Sequence, residues 1–207
     1  MARSSTKAPK STMKSLIELV ITVAIAVGLA LLIQAFVVKP YQIPSGSMEP
    51  TLDIGQRVLV NRVVYHLHDP HIGDIVVFHP PTGAVDGGRE CGVRPPARAA
   101  CPRPGPDESD TNFIKRIVAG PGDHLRIAHG EPIVNGVKAK EDFINPCGGG
   151  GDCNFPKQIT IPDGMYFMMG DNRGRSDDSR FWGPVPKSWI IGEAFLTYWP
   201  PDRIGFL

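Results

Sequence analysis

From Leu19 to Val38 the chain carries no charged residue, and Lys14 and Lys39 fence the run on its two sides. Thr22, Gly28 and Gln34 are polar or small interruptions in an otherwise apolar stretch. A helix of about twenty residues rises about 30 Å, the thickness of a bilayer's hydrocarbon core. Residues 16–38 are therefore expected to form a transmembrane helix. A cleaved secretory signal has a shorter apolar region of about 7–15 residues followed by a small-residue cleavage site. Here the run is longer and leaves through Phe36-Val37-Val38-Lys39-Pro40, without an Ala-x-Ala. A retained anchor is the expectation.

Beyond Pro40 the pattern changes to short runs rich in Val, Ile, Phe and Tyr: Arg57–Val64, Asp74–His79, Asn112–Ala119, Asp123–Ala128, Gly164–Met169 and Ile191–Trp199. Gly, Pro and Asp punctuate them, as in Gly120-Pro121-Gly122-Asp123 and Pro162-Asp163-Gly164. Strands at such spacing without helical periodicity between them predict a mostly β, antiparallel catalytic domain over residues 39–207, with a small inserted β lobe near 129–162. Residues 83–110 and 144–156 are rich in Gly, Pro or both and read as surface insertions, with solvated loop as the default.

Composition narrows the classes. The sequence has 207 residues with a formal charge of +1, so no global field points to nucleic acid. Gly (23) and Pro (21) are abundant, which disfavours a helical bundle. Arg3, Lys7, Lys10 and Lys14 precede the apolar run with no acid among them, whereas Lys39 follows it alone. Positive-inside bias then predicts a cytoplasmic tail over 1–15 and everything after residue 39 on the far side. Four cysteines allow three pairings. Local pairing, Cys91 with Cys101 and Cys147 with Cys153, is the simplest for a domain outside the membrane, where disulfides persist. Zinc is the rival, but its paired cysteines usually stand two to four residues apart, a spacing absent here.

Three segments carry candidate chemistry. Ile43-Pro44-Ser45-Gly46-Ser47-Met48-Glu49-Pro50-Thr51-Leu52 places two serines around a glycine between stiffening prolines. It can hold a hydroxyl beside backbone N–H groups, and it is equally an ordinary turn. Phe113-Ile114-Lys115-Arg116-Ile117-Val118 sets a lysine among apolar residues. Such a lysine either snorkels to water or, if buried, loses its proton more readily and becomes a base. By strand alternation Arg116 points to the other face. Gly170-Asp171-Asn172-Arg173-Gly174-Arg175-Ser176-Asp177-Asp178-Ser179-Arg180 mixes charges with hydroxyls and, taken singly, is a solvated loop or a structural ion pair. The histidines His66, His68 and His71 are crowded but match no metal motif, and no Gly-x-Ser-x-Gly elbow accompanies any histidine.

In order, these three segments resemble the motifs of bacterial type I signal peptidases, and the resemblance covers residues 40–200 together with the anchor and its orientation. It implies a serine endopeptidase that removes signal peptides from exported preproteins after small residues of the Ala-x-Ala type. Ser47 would be the nucleophile, Lys115 the general base, and Ser45 with the Ser47 N–H the oxyanion hole. Ser176 would orient the lysine amine, while Asp178 and Arg180 brace the site. Ile43, Pro44, Met48, Leu52, Phe113 and Ile114 would line the substrate pockets, and Cys147–Cys153 matches a disulfide loop of some members. No cofactor or metal is implied. The partners would be signal peptides, the bilayer and the neighbourhood of the protein-export channel, in the bacterial cytoplasmic membrane. Two departures stand out: Gly174-Arg175 replaces the Asp-Asn of many relatives, and the Cys91–Cys101 loop is outside the shared pattern. A self-cleaving repressor-type protease with the same dyad and a non-catalytic anchored binding module are the rivals.

Overall fold

Proline biases the residue before it toward extended backbone, and Lys39-Pro40 lies where helix gives way to strand. In the computed structural model, which describes residues 12–207, the first helix (α1) spans Thr12–Phe36 and the first strand (β1) Val38–Gln42. The helix starts earlier than the expected 16–38 span, and Val38 already belongs to the strand. Its stretch Met13–Leu31 has a mean hydropathy of 2.1 and is unburied. Of the basic residues that set the expected orientation, Arg3, Lys7 and Lys10 lie outside the described residues. The chain divides after Val38 into two units.

The second unit is built from two antiparallel sheets. The larger contains β1, β2 (Arg57–Asn61), β3 (Ile75–Phe78), β4 (Phe113–Ala119), β9 (Met165–Met169), β10 (Val185–Pro186), β11 (Ile190–Trp199) and β12 (Gly205–Phe206). Its order is β1-β2-β11-β3-β4-β9-β10, with β12 on β11. The smaller has the order β7-β6-β5-β8, made of β5 (His124–Ala128), β6 (Glu131–Val134), β7 (Val137–Lys138) and β8 (Phe155–Thr160). All four side chains of β3 are buried, which explains its unbroken Ile-Val-Val-Phe run in place of alternation.

Register matters most at β4. Strand β3 pairs its whole first half, with Phe78 opposite Phe113 and Val76 opposite Lys115. On the other edge, β9 joins only from Arg116 onward, opposite Met169. Among the described residues, no strand pairs with the second backbone edge of Phe113, Ile114 and Lys115.

The 83–110 insertion is more tightly held than a solvated loop. Ala99, Ala100 and Cys101 are buried, and the two alanines join a core with Leu125, Ile127, Ile159 and Phe167. Pro81 bridges Glu108 and Ala99 bridges Lys157. Both local disulfides are present, Cys91–Cys101 and Cys147–Cys153, with Cα separations of 5.6 and 5.8 Å.

Candidate active site

The serine-bearing turn is pinned at both ends. Ile43 exchanges backbone hydrogen bonds with the 55–56 turn: its N–H donates to Gln56 O at 2.8 Å, and Gly55 N–H donates to its carbonyl at 2.9 Å. A single 3-10 turn follows over Gly46–Met48, and Met48 and Leu52 are fully buried beside Val58, Val60 and Ile75. Burying those two side chains turns Ser47 toward β4. Its Oγ stands 2.7 Å from Lys115 Nζ. Met48 and Leu52, expected in the substrate pockets, line neither neighbouring cavity and anchor the turn from beneath.

Lys115 is 4% exposed. Its Nζ also donates to Ile114 O at 3.1 Å and lies 5.5 Å from the centre of the Phe113 ring. Burial disfavours the ammonium and brings the pKa down to about 8, against the opposing pull of the Asp178, Asp177 and Asp171 charges. Arg116 takes the other face, as alternation requires, and grips Asp171 with Nε at 2.9 Å and Nη2 at 2.7 Å. Thr51 donates to the same carboxylate at 2.6 Å, so Asp171 links the serine turn to the lysine strand.

The loop after β9 packs directly under Ser47. Asn172 N–H donates to Ser47 O at 3.0 Å, and its side-chain amide donates to Gly46 O at 3.0 Å. Gly170 is required for this approach: a Cβ there would lie 2.4 Å from Ser47 O and 2.3 Å from Ser176 Oγ. Arg173, 1% exposed, donates to Gly170 O at 3.0 Å and Gly130 O at 2.7 Å, joining the loop to the smaller sheet. Asp178 and Arg180 form a buried fork, with Nε–Oδ1 at 2.7 Å and Nη2–Oδ2 at 2.9 Å. Burial pushes the Asp178 carboxyl up, but Arg180 and the Gly170 N–H outweigh it and hold the group below the usual carboxylate range.

Ser45 is exposed, with its Oγ 3.4 Å from Ser47 Oγ. Ser176 is buried beside Asp178, where its hydroxyl helps to hold that carboxyl below the usual range, while the Lys115 amine bonds to Ser47 Oγ and Ile114 O. Arg180 Nη2 donates to the Ser176 carbonyl at 3.0 Å, and Ser176 Oγ abuts Gly170.

Two cavities flank the pair. One, of about 320 Å³, is lined by Pro44, Ser45, Ser47, Phe113, Ile114 and Lys115, and also by Ala84, Gly87, Asn112, Arg175 and Asp177. The other, of about 420 Å³, is lined by Tyr41, Gln42, Ile43, Pro44, Val77, Thr111, Asn112, Phe113 and Ile114. No histidine lines either. A serine and a buried lysine in hydrogen-bond contact thus share the wall of one cavity.

The signal peptidase, peptidase S26 family matches residues 16–199. The chain belongs to that family. It is 39% identical over 184 residues to a probable signal peptidase I-1 of Synechocystis, covering 88% of this chain and 82% of that one. It is 37% identical over 193 residues to a probable signal peptidase I-2 of the same organism, covering 92% and 77%. A probable chloroplastic thylakoidal processing peptidase 2 of Arabidopsis thaliana is 37% identical over 181 residues, covering 87% of this chain and 43% of that one. As a signal peptidase the protein is a serine endopeptidase that removes signal peptides from preproteins. Membership also sets aside the repressor-type and non-catalytic readings.

The motifs did not announce every residue that builds this site. Asp171, Asn172 and Gly170 lay within the third motif without assigned roles. Their signal was the Gly-Asp-Asn run directly after an apolar strand. Asp177 too lay in that motif without a role, and Ala84 and Gly87 gave no signal, because their link to Ser47 is purely tertiary.

Proposed function

We propose that Ser47 and Lys115 form the catalytic dyad and that the enzyme cleaves after small residues of the Ala-x-Ala type. The observation that carries the proposal is the 2.7 Å contact between Ser47 Oγ and a buried Lys115 Nζ. The neutral amine takes the hydroxyl proton as Oγ attacks the peptide carbonyl carbon. Negative charge then gathers on the carbonyl oxygen, where the Ser45 hydroxyl and the Ser47 N–H are the nearest donors of the turn. The lysine, now an ammonium, gives its proton to the departing amine. The acyl-enzyme is hydrolysed by water, with Lys115 again the base.

Substrate enters as a strand. The free edge of Phe113–Lys115 and the extended Ile43–Ser45 segment form two rails between which a peptide can add, sending alternate side chains into the two cavities. Ile43, Pro44, Phe113 and Ile114 give those cavities apolar walls suited to small side chains. The apolar α1 helix anchors the protein in the bacterial cytoplasmic membrane with its N-terminus inside, close to the export channel that delivers preproteins.

The test is cleavage of a purified preprotein in detergent, with the new N-terminus read by mass spectrometry. Cleavage after a small residue, abolished in Ser47→Ala and Lys115→Ala proteins that remain folded, is the expected result. Wild-type turnover by either variant would end the dyad reading.

A further inference from the structure

We propose that the insertion after β3 is a specificity wall of the cleavage site, locked in place by Arg89, and that it restricts the residue before the scissile bond to small side chains. The inference rests on the dyad reading above and adds a residue outside the shared motifs.

The wall is Ala84 and Gly87, which line the same cavity as Ser47 and Lys115. Nothing lies within 4 Å of a Cβ built at Gly87, so the space in front of this residue is open and the wall here carries no side chain beyond the Ala84 methyl. The segment is itself tightly wound. A Cβ at Gly88 would meet Gly83 O at 2.3 Å, and Glu90 N–H donates to Gly83 O at 3.2 Å. A short, closely packed turn moves as one piece, and its position is set by what holds its ends.

Arg89 holds one end. Its Nε donates to Asp177 Oδ1 and its Nη1 to Asp152 Oδ2, each at 2.6 Å, while the guanidinium carbon lies 3.9 Å from the centre of the Phe181 ring. Asp177 belongs to the loop that packs under Ser47, and Asp152 to the Cys147–Cys153 loop. One side chain therefore joins three separate loops. The Cys91–Cys101 disulfide reinforces that same end, since the Cys101 N–H donates to Arg180 O at 3.0 Å, while the other end is held by Thr82, whose N–H donates to Asp107 O at 3.0 Å, and by the bridge between Pro81 and Glu108. Arg89 and Asp177 are partly exposed, and exposed ion pairs contribute little to global stability. Their effect falls on where the wall sits. An apolar pocket separates side chains that differ by a methylene by about 10–200-fold, so a small outward shift of the wall is enough to change selection.

The experiment measures kcat and KM on peptides spanning a cleavage site, with Ala, Val, Leu or Phe immediately before the scissile bond. In Arg89→Ala the KM for the Ala peptide should rise by more than kcat changes, and the Leu-to-Ala ratio of kcat/KM should rise about tenfold, within the range that pocket shape commands. Arg89→Lys, which keeps the charge but not the fork, should fall between. Asp177→Asn breaks the lock from the opposite side and should shift the ratio the same way; it decides the matter if Arg89→Ala unfolds. Wild-type KM and an unchanged Leu-to-Ala ratio in both Arg89→Ala and Asp177→Asn, with the wild-type enzyme active, would overturn the wall and leave the dyad standing. A wild-type enzyme that cleaves none of the peptides would overturn both.

Discussion

At Lys115, stability and chemistry pull in opposite directions. Its pKa is about 8 in the folded protein and 10.5 for the free side chain. Between those values the unfolded chain binds more protons, so stability rises with pH through that window. Below pH 8 the buried ammonium costs about 3 kcal/mol, from a shift of roughly 2.5 units at about 1.4 kcal/mol each. Lys115→Met should therefore abolish cleavage while raising the unfolding free energy at pH 7 by about 1–3 kcal/mol, a gain that fades above pH 10. Urea unfolding at the two pH values checks it, and a less stable variant at pH 7 would count against the buried ammonium. Ser47 and Lys115 were legible because the motif order names them. The inward turn of Met48 and Leu52 was not, since sequence does not say which way a one-turn helix faces its core.

Elements decide how closely the serine turn and the lysine strand meet. The Gly170 turn lets the loop after β9 touch Ser47 O, and no side chain fits between them. Gly170→Ala should push the serine turn away from Lys115 and lower kcat at least about 100-fold, since misplacing reacting groups by about 1 Å costs that much. Steady-state kinetics on a folded variant, checked by circular dichroism, gives the answer; near wild-type kcat would mean the close packing is unneeded. The six expected strands correspond to β2, β3, β4, β5, β9 and β11. Strands β6 and β8 lie within residues 129–162, where a small β lobe was expected, but were not bounded one by one because each contains a proline, Pro132 and Pro156, and proline reads as a break except at edges. The unpaired half of β4, which makes room for a substrate strand, follows from register and was invisible in the sequence.

The whole domain depends on loops that composition had marked as solvent-filled. The Cys91–Cys101 link closes a loop of about eleven residues, which in a chain-entropy account stabilises by roughly 3 kcal/mol. Replacing both cysteines by serine should lower the unfolding free energy by about 2–3 kcal/mol. Thermal and denaturant unfolding of the double variant measures this, and unchanged stability would show that the buried Ala99–Cys101 segment holds without its bridge. The fold class was readable from short β runs and turn residues. The part the insertion plays was not, because its contacts with the site span long separations: Arg89 and Asp177 stand 88 residues apart.

The dyad itself is tested most directly by the pH dependence of acylation in a single turnover. The rate should follow the neutral fraction of Lys115, rising with pH about a midpoint near 8. His66, His79 and His124 line neither cavity, so replacing each should leave that midpoint in place. A midpoint near 6.5, the ordinary value for histidine, that vanished with one of those replacements would contradict the account and make Lys115 a structural residue.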